Sequence, residues 1–164
     1  MVARDGSSAC LIGDHQLSPF TDVPLNELGK ELLDIDVSIE GAWAKDGYRP
    51  GSDPPPSNTT VMGSWGKGYW DTGTLRLGPF PTGSSDAIIL PILTGADSRG
   101  LSITALDSKT GETVAKLSPP PVTTNWRGWG IRLPEHDMEL EIVAQDQGVQ
   151  PGEWLAVGMP HEVK

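Results

Sequence analysis

Paired cysteine, positive charge and long apolar runs are all missing from this sequence, and each absence removes a class of protein. The single cysteine, Cys10, has no partner, so neither an intramolecular disulfide nor a cysteine-based zinc site can form. Twelve basic residues stand against 22 acidic ones, for a formal charge of -10. The basic residues are scattered, and a phosphate backbone would be repelled, which argues against nucleic acid as a partner. No stretch approaches the ~20 apolar residues of a membrane-spanning helix. The longest apolar run, Ala87 to Leu93, is interrupted by Pro91. The first residues, Met-Val-Ala-Arg-Asp-Gly-Ser-Ser, lack the apolar centre of a secretory signal. Two readings follow: a cytoplasmic chain, or one whose signal or membrane part lies outside this sequence.

Enzyme signatures are also sparse. His15, His136 and His161 lie in unrelated contexts and form no His-x-x-x-His or His-Glu-x-x-His spacing, so a zinc centre has little support. No Gly-x-Ser-x-Gly elbow, P-loop or Gly-x-Gly-x-x-Gly fingerprint occurs. A pair of carboxylates for glycoside hydrolysis is a matter of spatial separation, and 22 acids make any chosen pair arbitrary.

Glycine and proline are what the chain does have. Twenty glycines and 15 prolines in 164 residues break it every few positions, which favours short strands joined by turns over long helices. A single domain of this length buries roughly 70% of its unfolded surface, enough for a core without staples. Residues 1 to about 21 are polar and weakly patterned, a tail or an added edge segment. Leu25, Leu28 and Leu32 follow at helical spacing and predict a two-turn helix within Pro24 to Leu33, with Gly29 against it. From Leu33 the period becomes two: Leu33, Ile35, Val37 and Ile39 alternate with Asp34, Asp36, Ser38 and Glu40, the pattern of a half-buried strand. Lys45 to Thr60, with Pro54-Pro55-Pro56, reads as a surface loop.

Eight further strands are predicted: Thr60 to Trp65, Thr74 to Phe80, Ala87 to Leu93, Leu101 to Asp107, Thr113 to Ser118, Trp126 to Leu133, Met138 to Gln145 and Trp154 to Met159. Asp107 to Glu112 has the form of a hairpin connection with Gly111 at positive φ. Short strands at this spacing, without an internal repeat, predict an all-β, jelly-roll-like two-sheet antiparallel sandwich spanning residues 22 to 164, with at most one or two short helices.

Six tryptophans exceed the needs of an ordinary core. An indole offers a flat apolar face that stacks on a pyranose and an edge donor for a hydroxyl. The alternative is that tryptophans at strand ends plug the sandwich, which is the stronger reading for Trp129, sharing a strand face with Ile131 and Leu133. The segment Ser64 to Gly73 is the prime candidate binding loop. It sets Trp65, Tyr69 and Trp70 among glycines that admit a close ligand, with Lys67 and Asp71 able to bond hydroxyls. Its rival reading is a turn closed by aromatic packing. Trp126, Arg127 and Trp154 form a second candidate set. Arg76 and Arg132 point away from the apolar face of their strands, toward either a ligand or water. Asp71-Thr72-Gly73 and Asp146-Gln147-Gly148 are acidic turns that offer oxygen ligands to calcium or are plain turns.

The pieces Thr72 to Phe80, Leu106-Asp107 with Thr110-Gly111-Glu112, Trp126 to Pro134, Ile142 to Asp146 and Gly152 to Pro160 give the chain a resemblance to a known family. From about Ser64 to Pro160 it resembles galactose-binding-like β-sandwich modules, of the carbohydrate-binding-module type, in bacterial cell-envelope and polysaccharide-acting proteins. It is similar in this to the C-terminal region of mycobacterial arabinosyltransferases. The resemblance implies a jelly roll, extracytoplasmic glycan binding at loop ends and often a structural calcium ion. The expected function is therefore a non-catalytic carbohydrate-binding module for a glycan, neutral rather than acidic given the net charge. A protein-interaction or structural accessory domain is the alternative, and a glycan hydrolase or lyase comes last.

Overall fold

Period-two alternation and frequent turn residues produce strands throughout the described residues. The computed structural model describes residues 19–23, 30–32, 35–55, 59–65, 72–95, 97–117, 125–134, 137–149 and 152–163. Among these there are thirteen strands and no helix. In chain order they are β1 (Pro19–Val23), β2 (Lys30–Glu31), β3 (Val37–Gly41), β4 (Ala44–Lys45), β5 (Val61–Gly63), β6 (Gly73–Pro81) and β7 (Ala87–Thr94). They continue with β8 (Leu101–Asp107), β9 (Thr113–Leu117), β10 (Arg127–Arg132), β11 (Glu139–Asp146), β12 (Leu155–Gly158) and β13 (His161–Val163). No helix among the described residues is long and apolar enough to cross a membrane.

All pairing is antiparallel and divides the strands into two sheets. The smaller runs β3-β6-β11-β8-β9; the larger runs β1-β10-β7-β12-β5-β4, with β13 beside β7 and β2 beside β13. This is the expected jelly-roll-like sandwich, and each of the eight predicted strands is present with ends that agree to within two residues.

Register explains the core. In the small sheet Leu75 and Leu77 stand opposite Ala144 and Ile142, which stand opposite Ile103 and Ala105. Residues directly opposite share a face, so one buried layer forms. In the large sheet Trp129 and Ile131 face Leu90 and Ile88, while Val157 lies between Ile92 and Met62. The two layers meet in one apolar cluster. Trp129 and Ile131 thus sit in the core, as their strand face predicted. The wet face of the small sheet carries the Arg76–Glu141 ion pair at 3.1 Å.

Strand β7 is buried along its entire length on both faces. That is why Ala87 to Leu93 reads as a continuous apolar run rather than an alternating one. Pro91 has no N–H to give a neighbour, and the partner on one side of β7 breaks at the same level. β12 pairs with Ile92 to Thr94, β13 pairs with Ala87 to Ile89, and Gly158 lies against the Pro91 ring.

Two expectations from the N-terminal third need correction. Lys30–Glu31, placed in a helix by leucine spacing, pairs as β2 with His161 and Glu162, so cross-strand hydrogen bonds override the local period. Residues 24–29 of that expected helix lie outside the described residues. The Leu33–Ile39 alternation gives β3, which starts only at Val37, lies at the edge of its sheet and is exposed on both faces. Pro19–Val23 forms an edge strand on β10; residues 1–18 of the expected tail or edge segment lie outside the described residues. The Asp107–Glu112 hairpin closes as predicted, with Gly111 at φ 77° and its N–H donating to the Asp107 carbonyl at 2.8 Å.

The turn after β4 crosses β5 so closely that a Cβ on Gly63 would run into the Gly47 carbonyl, which is backbone and cannot swing aside. Gly63→Ala should cost more than about 2 kcal/mol by overpacking. Gly111→Ala has open space around it and should cost only about 1 kcal/mol through its left-handed backbone. Urea unfolding of the two variants checks the order; equal losses would refute the close-approach reading.

Candidate functional site

The site is assembled by strand parity. Leu140, Ile142 and Ala144 of β11 point into the sandwich, and Asp146, two residues further on, points the same way. It is fully buried. Such a carboxylate needs partners, and Ser64, just past β5 in the other sheet, supplies one. Ser64 Oγ donates to Asp146 Oδ2 at 2.5 Å, and the Gly148 N–H donates to Oδ1 at 2.9 Å. Ser64 Oγ in turn accepts the Leu155 N–H at 3.0 Å. Both sheets are thereby tied at one end.

Beside this tie is an open cleft of about 270 Å³ lined by Thr72, Gly73, Thr74, Asp146 and Gln147. Gly73 stands opposite Asp146 in the β6–β11 ladder and opposite Gly41 in the β3–β6 ladder. A side chain there would collide with the Glu40 carbonyl and press on the Trp43 indole, which closes the core behind it. Gln147 is exposed, and its backbone N–H donates to the Gly100 carbonyl at 2.9 Å, so the turn before β8 joins the same end. In that turn the Arg99 side chain donates three hydrogen bonds to Asp97, the shortest 2.6 Å. Those side-chain bonds, with the Arg99 backbone N–H, hold the Asp97 carboxyl below the usual carboxylate range, and the Asp97 partner raises Arg99 in turn. Hydroxyl and amide groups of Thr72, Thr74 and Gln147 therefore line the cleft beside the buried Asp146, a set suited to hydrogen-bonding a polyhydroxylated ligand.

The sequence-predicted residues divide. The loop Ser64 to Gly73 has both of its ends on Asp146: Ser64 bonds it and Gly73 pairs with it. Lys67, Tyr69, Trp70 and Asp71 lie outside the described residues. Trp65 turns to the outer face of the large sheet, where it meets Trp154 edge-on with ring centroids 6.0 Å apart. Trp126 joins them there, edge-on to Tyr48 at 5.8 Å, with its indole N–H donating to the Asp53 carbonyl at 2.9 Å. These aromatics cover Val61, Leu93 and Ala156, forming a second, smaller core.

The expectation that Trp126 and Trp154 stack on a ligand is therefore corrected: they are only 5% and 1% exposed, and their faces are spent on packing. Arg127 is exposed beside them. Asp146, expected as a calcium ligand, has both oxygens engaged as described, and among the described residues no three acidic, histidine or cysteine side chains converge on a metal position. Sequence reasoning missed Ser64 as the partner of Asp146 and Thr74 as lining, whereas Thr72 and Gln147 lie in segments it had marked. The parity of β11 could have marked Asp146 as inward-facing; nothing local could have found Ser64, 82 positions away.

No protein-family model matches the chain, and no curated protein matches it by sequence. Solved structures do. The C-terminal extracellular domain of Mycobacterium tuberculosis EmbC matches at a TM-score of 0.53 and 19% identity, covering 92% of this chain and 62% of that one. This chain thus spans less than two thirds of the EmbC domain. A cleaved adhesin domain of Lys-gingipain from Porphyromonas gingivalis matches at a TM-score of 0.51 and 11% identity, covering 88% and 97%. A family 29 carbohydrate-binding module matches at 0.46 and 8% identity, covering 90% and 92%. The fold is a two-sheet antiparallel β-sandwich of the kind seen in the EmbC domain and the adhesin domain.

Two outcomes follow from this geometry. Ser64→Ala leaves a buried carboxylate short of a donor and the Leu155 N–H short of an acceptor, and should cost about 2–3 kcal/mol. Trp154→Ala should cost about 3–5 kcal/mol as a core deletion. Chemical denaturation measures both, and a neutral Ser64→Ala would remove the inter-sheet tie. At the rim, a depressed Asp97 pKa makes its contribution full above the ordinary carboxylate range and lost as pH falls through the folded value. NMR titration should show Asp97 moving up toward that range in Arg99→Ala, with little change in stability at neutral pH because the pair is exposed.

Proposed function

We propose that this chain is a non-catalytic carbohydrate-binding module that holds a neutral glycan at the end of the sandwich where Asp146 ties the sheets. One observation carries the reading: the polar cleft of Thr72, Gly73, Thr74, Asp146 and Gln147 adjoins both ends of the aromatic-rich loop Ser64 to Gly73. A cleft of that size takes about one sugar ring, with hydroxyls on Thr72 and Gln147 and a stacking face from Tyr69 or Trp70. Lys67 and Asp71 are the charged groups of the same loop. The fold is shared with an adhesin domain and an extracellular domain, which agrees with surface recognition. Calcium enters the proposal only through Asp71.

A glycan array and affinity gels test the reading, each run with calcium and with a chelator. Binding should weaken about tenfold or more in Trp70→Ala and in Gln147→Ala, with unfolding midpoints unchanged, since stacking and hydrogen bonding each contribute on the order of 1–2 kcal/mol. Absence of binding to every glycan, or binding that survives both substitutions, refutes the site. A binding curve and midpoint indifferent to chelation remove calcium from it.

A further inference from the structure

Edge strands are usually blunted, because their free N–H and C=O groups invite another strand. Four of the edges here follow that rule. β1 begins with Pro19 and pairs through an irregular register; β2 and β4 are two residues long. β9 carries Lys116 and meets β8 through a register shift at Ala105/Leu106.

β3 has none of these devices. It has five residues, neither proline nor lysine, and a regular register from Val37 opposite Leu77 to Gly41 opposite Gly73. β6 is its one strand partner among the described residues. Its side chains are patterned as well as open. Val37 and Ile39 are 42% and 40% exposed, two of the three exposed large hydrophobic residues among those described. They share a face with Leu77 and Leu75, which are fully buried, so the apolar layer of the sandwich continues past β6 into solvent. Asp36 and Glu40, both exposed, flank Ser38 on the alternate positions.

We propose that β3 is a docking edge for an extended, basic segment of a partner protein, which adds to the small sheet as a sixth strand. The free backbone groups of β3 supply the ladder, Val37 and Ile39 take alternate apolar side chains, and Asp36 and Glu40 take lysines or arginines. Charge selects this occupant over a second copy of the chain. Antiparallel self-pairing centred on Ser38 would set Asp36 of one copy opposite Glu40 of the other at both ends, and like charges directly opposite are destabilising. The net charge of -10 acts in the same sense, repelling a copy and attracting a basic segment.

The probe is a short fluorescent peptide in which valine alternates with lysine, titrated with the full chain and read by anisotropy. Saturable binding is expected, about tenfold weaker for Ile39→Lys and several-fold weaker near 0.5 M salt. A peptide with glutamate in place of lysine should not bind. Because Ile39 is exposed, the unfolding midpoint of Ile39→Lys should match the parent, as should its glycan binding. The proposal is overturned if no saturable binding occurs up to millimolar chain, or if Ile39→Lys binds the peptide as well as the parent does. A concentration-dependent dimer in sedimentation that Ile39→Lys abolishes would also overturn it, by giving the edge to a second copy.

Discussion

One buried carboxylate organises this molecule. Asp146 continues the inward-pointing row of β11 after its hydrophobic members end, and it spends its charge on Ser64 in the opposite sheet and on the Gly148 N–H. A carboxylate in that position is costly when unpaired, so the two strand ends that carry the bond have little freedom to drift. The loop between β5 and β6 inherits that constraint at both of its ends. Under the proposed function, a loop anchored in this way gives up less conformational entropy on meeting a glycan than one hung from unconstrained strands.

The tryptophans obey a different constraint, that of a sheet with two covered faces. The main core occupies the inner side of the large sheet, and Trp126 and Trp154, with Trp65 and Tyr48 packed against them, cover its outer side. Burying that face is what permits β7 to be apolar throughout. Much of the tryptophan surplus is thus architectural, and aromatic count alone would have overstated the binding surface. Trp43, which the sequence leaves without a role, is a core residue held against Gly73.

Strand positions were readable because alternation and turn chemistry act within a few residues. β6 and β8 alternate buried and half-buried positions as a one-sided strand must, and the Asp107–Glu112 turn follows from its glycine. The failures were all tertiary. Leucine spacing before β2 could not register the distant His161–Glu162 strand, and period two in β3 could not say that the strand would lie at an edge. The loop Ser64 to Gly73 was legible from its glycines and aromatics. The partnership of Asp146 with Ser64 was not, because sheet-to-sheet proximity has no local signature. Nor was the burial of Trp154 against the outer face of the large sheet, since an indole at a strand end reads the same whether it plugs a face or presents one.

The split of one sheet position between β12 and β13 also bears on how the chain is made. β7 and β5, both early in the sequence, wait for residues 155–163 to fill the places beside them. During synthesis the large sheet must persist with an unfilled slot next to its most apolar strand until that late segment arrives. From the completion of β7 until residues 155–163 are made, the place beside that strand stays unfilled, and the sheet closes in a late, long-range step.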